Sequence, residues 1–219
     1  MIARREVTAK RRRCGTRDRT EWMEPMADGA VSANEVPLDP GGLPDPGRPR
    51  YCARCGDSMA DVVHGHDRPR PRCTTCGWTY YARNSLGAAV LIERGGRALL
   101  VRRAHPPYLG DWMLPAGFVE YGEAAADTAV REAAEECRVR VTVSGTPGVH
   151  FGTDDPRNPG YLLVFRATLV DAVAEPVAGD DAAECRWFGR DDLPRNIAFM
   201  AHRAAVTAWR ERGLPTGEE

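Results

Sequence analysis

The chain has 219 residues, of which 28% are charged, and its 30 basic and 31 acidic residues leave a formal net charge of -1. This length accommodates one large or two small domains. The balanced charge argues against a protein that coats nucleic acid or anionic lipid, so we expect a small-molecule partner rather than nucleic acid. No run approaches the roughly 18 apolar residues of a membrane-spanning helix, and the N-terminus lacks an apolar signal core. The sequence therefore predicts a cytoplasmic protein with no membrane partner.

Residues 1–50 contain few large apolar side chains, and prolines and glycines punctuate their second half. Such a stretch cannot bury enough surface to offset the entropy lost on ordering, so we expect a disordered N-terminal tail. The basic run from Lys10 to Arg13 leaves open a second interpretation, an arm that binds anionic partners. Residues 215–219 are expected to form a short C-terminal tail.

Two C-x-x-C pairs dominate the next segment, residues 51–81. Cys52 and Cys55 are followed, after a spacer of 17 residues, by Cys73 and Cys76. In a cytoplasmic chain this spacing favours metal over disulfides, and four thiolates form the ligand set of a closed tetrahedral zinc site. We predict a β-type zinc ribbon that holds structural Zn²⁺. We interpret it mainly as a stabilising module, with contacts in a homodimer as the second interpretation.

Residues 82–214 read as one domain of short strands and two helices. The apolar β-type runs predict strands over Leu86–Ile92, Ala98–Val101, Val139–Val143, Tyr161–Val170 and Glu184–Phe188. The first two flank a glycine pair and predict a hairpin. Helices are predicted over Glu123–Cys137 and Ile197–Arg212, the second with Phe199, Val206 and Trp209 on one stripe. This order predicts a mixed α/β layered domain. We expect two thiols of this domain, Cys137 and Cys185, to be small buried hydrophobes.

The first predicted helix carries the most informative pattern. Glu132 lies three and four residues before Glu135 and Glu136, so the three carboxylates share one helical face. Without compensation they repel one another, although runs of charged residues on helices are usually solvated faces. Hard divalent cations bind carboxylate oxygens and cancel such repulsion, so we favour a site for Mg²⁺ or Mn²⁺.

These residues fit the pattern G-x5-E-x7-R-E-U-x-E-E-x-G-U, in which U is a bulky aliphatic residue, and the chain resembles the Nudix hydrolase family. The positions that match are Gly117, Glu123, Arg131, Glu132, Glu135, Glu136 and Val139. Two positions depart from it: Ala133 replaces an aliphatic residue and Arg138 replaces the final glycine. Because that glycine permits a left-handed conformation, Arg138 predicts a strained or altered helix exit. The resemblance implies an α/β/α sandwich with a mixed sheet, preceded by the ribbon.

The four-cysteine segment, Trp112-Met-Leu-Pro-Ala and Glu184-Cys-Arg-Trp-Phe are similar to the zinc-ribbon branch of the family. That branch includes NADH pyrophosphatases and enzymes similar to FAD and ADP-ribose pyrophosphatases. The serine-glutamine-proline-tryptophan-proline-phenylalanine signature of the NADH enzymes is absent from this sequence, which favours the second group.

The resemblance implies a metal-dependent hydrolase that cleaves the diphosphate of a nucleoside diphosphate linked to another moiety, such as ADP-ribose, FAD or NADH. A nucleoside monophosphate is released. The implied Mg²⁺ or Mn²⁺ ligands are Glu135 and Glu136, while Glu132 binds metal or acts as the base. Arg131 belongs to the catalytic set and braces the helix against Glu123. Glu184 is expected as a further ligand or base, with Asp180 and Asp181 as its rivals.

Three aromatic residues, Tyr161, Trp112 and Tyr121, are predicted to contact substrate, and Tyr161 has the strongest claim. Arg102, Arg103 and Arg166 could contact phosphate, but arginines on strands usually face solvent. The alternative function is a nucleotide- or RNA-binding sensor that uses the same fold with little turnover. Three repelling carboxylates on one turn count against it, since a sensor has no need of them.

Overall fold

The computed structural model describes residues 49–63, 68–155 and 159–212. Within them the elements are β1 (Met59–Val62), β2 (Arg70–Cys73), β3 (Ser85–Arg94), β4 (Arg97–Arg103), β5 (Trp112–Met113), β6 (Ala116–Phe118), α1 (Ala125–Cys137), β7 (Val141–Gly152), β8 (Gly160–Leu169), β9 (Ala182–Phe188) and α2 (Met200–Arg212). The predicted tails lie outside the described residues, apart from residues 49 and 50. None of the described helices is both long and apolar enough to cross a membrane.

The seven strands that follow the ribbon form one mixed sheet with the order β5-β4-β3-β8-β7. The pairing of β3 with β8 is parallel, and the other pairings are antiparallel. Two strands lie off this path: β6 pairs with the first part of β3, and β9 pairs with β4. The predicted hairpin is present between β3 and β4, with Gly95 and Gly96 both at positive φ in the turn.

Alternating side chains of the sheet build two separate cores. Val90 and Ile92 of β3 face the cluster that contains Ala129 and Ala133 of α1. The intervening Leu91 faces the opposite cluster, which contains the α2 residues Ala201, Ala205, Val206 and Trp209. Because successive strand residues point to opposite faces, each face of the sheet receives one helix. The α/β/α sandwich predicted from the sequence is confirmed.

Two element boundaries differ from the prediction. The strand expected over Val139–Val143 runs instead from Val141 to Gly152, with an irregular register between Ser144 and Gly148. Helix α2 begins at Met200, so Phe199 precedes it with φ +53° and does not belong to the helical stripe. Its ring packs edge-on against Tyr108, with 4.8 Å between the ring centroids.

The exit of α1 has the altered geometry that the sequence predicts. Arg138 adopts the left-handed conformation with φ 56° and ψ 28°, where a glycine would carry no steric cost. The loop that follows β8 covers this helix end: the N–H of Val177 donates to the carbonyl of Cys137 at 2.9 Å, and the N–H of Gly179 donates to that of Glu136 at 3.1 Å. These bonds satisfy carbonyls that a helix end leaves without an intrahelical partner.

Candidate active site

The three predicted carboxylates of α1 lie at different depths. Glu136 is 4% exposed and Glu132 is 9% exposed, whereas the side chain of Glu135 is 44% exposed. A buried carboxylate must be compensated by hydrogen bonds or by a cation. For Glu136, one partner is the N–H of Ala116 on β6, which donates to Oε2 at 3.0 Å.

Burial changes the titration of both inner carboxylates. It raises the pKa of Glu136 to about 8, an effect that the N–H of Ala116 opposes and the charges of Glu132 and Asp181 reinforce. It also raises the pKa of Glu132, against the opposing effect of Arg131. Like charges gathered in a buried place disfavour ionisation, so a cation bound between them stabilises the ionised forms.

Arg131 links the loop before α1 to these carboxylates. Its Nε and Nη2 donate to the two oxygens of Glu123 at 2.9 and 3.1 Å. Its Nη1 donates to Glu132 Oε1 at 2.5 Å and to Glu135 Oε2 at 3.0 Å. The brace between Arg131 and Glu123 that the sequence predicts is therefore present. Hydrogen bonding from Arg131 lowers the pKa of Glu123 from 4.5 to about 2.

Gly117 makes room for the Glu132 carboxylate. A Cβ on Gly117 would lie 1.9 Å from Glu132 Oε1, far closer than two non-bonded atoms can approach. The peptide of β6 therefore forms a cradle in which only glycine allows this carboxylate to keep its place. The oxygen donors of this cradle and of the neighbouring acids are those that hard divalent cations prefer.

The carboxylates open into a cavity of about 460 Å³. Among the described residues, those that line it include eight carboxylates but only two arginines, Arg103 and Arg131. Its acidic wall includes Asp180 and Asp181, which precede β9, and Asp154, which follows β7. Tyr161, Phe199 and His202 also contribute to the lining. An acidic cavity of this kind repels an anionic substrate unless cations accompany it.

The family model of the NUDIX domain matches residues 83–209. The chain belongs to the Nudix family.

Three relatives illustrate the breadth of the match. The chain is 38% identical over 111 residues to the ADP-ribose pyrophosphatase of Methanocaldococcus jannaschii, over 50% of this chain and 63% of that protein. It is 33% identical over 174 residues to the NAD-capped RNA hydrolase NudC of Pseudomonas putida, over 76% of this chain and 58% of that protein. The crystal structure of a NUDIX hydrolase from Nitrosomonas europaea aligns with a TM-score of 0.67 and 29% identity, over 77% of this chain and 96% of that chain. The chain thus spans less than two thirds of these two curated relatives.

Three of the residues predicted from the Nudix resemblance do not line the cavity. Trp112 lies in the core on the α2 side, edge-on to Phe188, because β5 pairs with β4 and turns this side chain inward. Tyr121 is fully exposed in the loop before α1. Glu184 lies on β9 directly opposite Arg102 and forms ion pairs with Arg102 at 3.4 Å and Arg186 at 2.7 Å. The structure places these three side chains away from the cavity, and the predicted substrate contacts of Trp112 and Tyr121 and the predicted metal contact of Glu184 stay predictions.

The structure brings other predicted residues to the cavity. Tyr161 lies on its wall and packs against Phe151, with 4.9 Å between the ring centroids. Asp180 and Asp181, the sequence rivals of Glu184, line the cavity. Arg103 does so too, whereas the sequence suggests a solvent-facing arginine; its Nε donates to the carbonyl of Pro107 at 2.7 Å, and its guanidinium lies 5.1 Å from the centre of the Phe199 ring.

Asp154 and His202 are site residues that sequence reasoning misses. Asp154 accepts hydrogen bonds from the N–H of Met200 at 2.8 Å and from Arg203 Nη2 at 2.8 Å, so it fixes the start of α2 beside the cavity. His202 is buried, and this burial lowers its pKa to about 3, so the imidazole is neutral at physiological pH. Neither residue belongs to a local motif, because each reaches the cavity through the packing of α2 against β7.

The four cysteines of the ribbon form a second site. Their sulfur atoms all lie within 4.8 Å of one another, and no other such group of three or more potential ligands occurs in the described part of the chain. The strands β1 and β2 pair as an antiparallel hairpin, and Gly56 and Gly77 adopt positive φ in the two cysteine turns. Backbone N–H groups of Arg54 and Cys76 point at the sulfurs of Cys52 and Cys73, both at 3.4 Å. The cluster can therefore hold a metal ion.

The ion pair between Glu123 and Arg131 predicts a pH-dependent contribution to stability. Since the pKa of Glu123 falls from 4.5 to about 2 on folding, its stabilisation is present above the unfolded value and is lost as the pH falls through the folded value. Glu123→Gln should therefore lower the melting temperature at about pH 6, and the difference from wild type should shrink towards about pH 3.

Thermal melts of the two proteins at both pH values test this prediction. Glu175→Gln is the matched control, because it removes an exposed ion pair with Arg94 and should change the melting temperature little at either pH. A difference for Glu123→Gln that is constant with pH would contradict the assigned coupling.

Proposed function

We propose that the protein is a metal-dependent hydrolase that cleaves the diphosphate of a nucleoside diphosphate linked to another moiety, releasing a nucleoside monophosphate. The observation that carries this proposal is the placement of Glu132, Glu135 and Glu136 on one wall of a cavity that also contains Arg103 and Tyr161. A diphosphate ester needs charge neutralisation and an activated water molecule, and this set of residues suits both.

Glu132, Glu135 and Glu136 would hold Mg²⁺ or Mn²⁺, and Asp180 and Asp181 are the further acids on the same cavity. Bound there, such a cation would neutralise phosphate charge and lower the pKa of a water molecule. Glu132 is the candidate base, because its pKa is raised by burial and it is fixed between Arg131 and the peptide of Gly117. Arg131 holds Glu132 and Glu135 in position rather than contacting substrate.

The substrate that we favour is an ADP-linked compound. The names of both curated relatives, ADP-ribose pyrophosphatase and NAD-capped RNA hydrolase, describe substrates that contain an adenosine diphosphate. Tyr161 offers an aromatic face for a ring of such a compound. Arg103 is supported by the carbonyl oxygens of Pro107 and His105, so its guanidinium is oriented before substrate arrives and can bind phosphate.

Turnover should depend on the carboxylates of α1. We expect wild-type protein with Mg²⁺ or Mn²⁺ to convert ADP-ribose, FAD, NADH or NAD-capped RNA to products that include a nucleoside monophosphate. Glu135→Gln and Glu136→Gln should lower kcat by about 100-fold or more while leaving nucleotide binding measurable. Chromatography of the products and calorimetric binding of the same compounds supply the two readouts.

The two variants also separate loss of chemistry from loss of folding. Glu136→Gln replaces a buried carboxyl group that must take up a proton or bear a buried charge on folding, so without divalent cation its melting temperature at about pH 7 should equal or exceed that of wild type. If wild type binds nucleotides without cleaving any compound of the panel, the hydrolase proposal fails and the sensor function replaces it.

Gly117 provides a second test of the site geometry. Gly117→Ala places a methyl group where the Glu132 carboxylate lies, so the carboxylate must move and kcat/KM should fall by about 100-fold. The matched control is Gly95→Ala in the remote β3–β4 turn, where an added Cβ meets no atom within 4 Å. That variant should lose some stability through its positive φ but keep its activity. Equal activities of the two variants would contradict the cradle.

We further propose that the ion of the ribbon is Zn²⁺. The sulfur separations of 3.6 Å between Cys52 and Cys76 and 3.4 Å between Cys55 and Cys73 are close to the roughly 3.8 Å of a tetrahedral site with Zn–S bonds of about 2.3 Å. A segment this small lacks a core of its own and depends on its metal to fold.

Elemental analysis of the purified chain should therefore find one zinc ion per molecule. Cys55→Ser and Cys76→Ser should lower that content well below one and make residues 51–81 sensitive to protease. The control Cys185→Ser, which alters a thiol outside the ribbon, should retain the ion. Full zinc occupancy in Cys55→Ser and Cys76→Ser would show that these cysteines are not its ligands.

A further inference from the structure

Two thiols outside the ribbon meet where α1 packs against β9. Cys137 is the last residue of α1 and is fully buried, while Cys185 on β9 is partly exposed and packs against the same core cluster. The Cys185 thiol lies 3.5 Å from the carbonyl oxygen of Glu136, the residue that directly precedes Cys137. Two cysteines from distant parts of the chain thus lie close together, directly behind a candidate metal ligand.

We propose that Cys137 and Cys185 form an oxidative modification site, at which a peroxide converts the thiol pair to an intramolecular disulfide that lowers the hydrolase activity. The formation of the disulfide is independent of the proposed function, and only its effect on activity rests on that function.

The two thiols have different access to an oxidant. Cys185 is the partly exposed residue of the two, so we expect peroxide to oxidise its sulfur to the sulfenic acid and to be reduced itself, releasing one water molecule. The Cys137 thiol then attacks this sulfur, which forms the S–S bond and releases a second water molecule. In sum, two thiols lose two hydrogen atoms and hydrogen peroxide becomes two molecules of water. A thiol such as glutathione or dithiothreitol reverses the reaction by exchange.

The disulfide would change the position of the candidate metal ligands at the end of α1. An S–S bond of about 2.05 Å is shorter than any separation of two non-bonded sulfur atoms, so oxidation draws the end of α1 towards β9. The surrounding packing leaves little freedom for this movement: a Cβ on Gly179 would lie 2.5 Å from the Glu135 carbonyl oxygen. Glu136 precedes Cys137 directly, and its carboxylate is held by the N–H of Ala116. Displacement of a catalytic group by about 1 Å can reduce the rate by about 100-fold.

The experiment uses the full chain with its metal bound. The protein is treated with hydrogen peroxide, free thiols are blocked, and the protein is digested with trypsin without reduction. Cleavage after arginine yields residues 132–138, whose one cysteine is Cys137, and residues 167–186, whose one cysteine is Cys185. A linked pair of these two peptides identifies the disulfide by mass. Zinc release is followed with a chromogenic chelator, because oxidation of the ribbon cysteines would eject the ion.

We expect the linked peptides to appear before zinc is released, and activity to fall by roughly 10- to 100-fold with the same time course. Dithiothreitol should remove the link and restore activity. Cys185→Ala and Cys137→Ala should form no link and should resist this early loss, while the control Cys14→Ser should behave as wild type. Thermal melts show whether the alanine variants remain folded. If Cys185→Ala does not remain folded, the conservative variant Cys185→Ser takes its place in the experiment.

Two outcomes would overturn the proposal. Absence of the linked peptides while the Cys185 thiol is consumed would show that the pair does not close. Complete linkage with unchanged turnover would show that the modification does not act on the site. If no substrate is turned over even by the reduced protein, the proposed hydrolase function fails, whereas the peptide map still decides whether the disulfide forms.

Discussion

The burial of acidic side chains between a helix and a sheet is the constraint on which the rest of this structure depends. Glu132 and Glu136 are nearly inaccessible, and an uncompensated carboxylate in such a place costs several kcal/mol. The chain compensates with the Arg131 guanidinium and with the N–H of Ala116. Both devices require the loop before α1 and strand β6 to lie close to the helix. The unusual features of this region therefore follow from one electrostatic requirement.

Small residues make that close approach geometrically possible. Ala133 occupies a position where the family pattern has a bulky aliphatic residue, and it is completely buried against the sheet, as is Ala129 one turn earlier. Gly117 has no side chain, so it leaves room for the Glu132 carboxylate. On the opposite face, Asp154 fixes the first turn of α2 and Trp209 donates to Glu93 Oε1 at 2.7 Å. The cavity is thus bounded by elements whose positions are each fixed by a specific polar contact.

The hydrophobic periodicity of the sequence was sufficient to predict the layers of the fold. The spacing of Glu132, Glu135 and Glu136 was sufficient to predict one wall of the cavity. Both depend on local geometry, which sequence encodes directly. The opposite wall could not be predicted in this way. Arg103 turns inward because two backbone carbonyl oxygens hold its guanidinium, and Trp112 turns into the core because of its strand pairing. Such contacts join residues that are distant in sequence, and no local sequence pattern predicts that they lie close together.

The end of α1 explains why Asp180 and Asp181, rather than Glu184, line the cavity. Arg138 ends the helix in a left-handed conformation, and the carbonyls of Glu136 and Cys137 then accept hydrogen bonds from Gly179 and Val177. These bonds hold the loop against the helix, so Asp180 and Asp181 emerge beside Glu136 before β9 begins. Glu184 lies further along, within β9, which pairs with β4, so its carboxylate is opposite Arg102. The same register places Cys185 behind Glu136, so one helix exit determines both the acids on the cavity and the position of the Cys185 thiol beneath it.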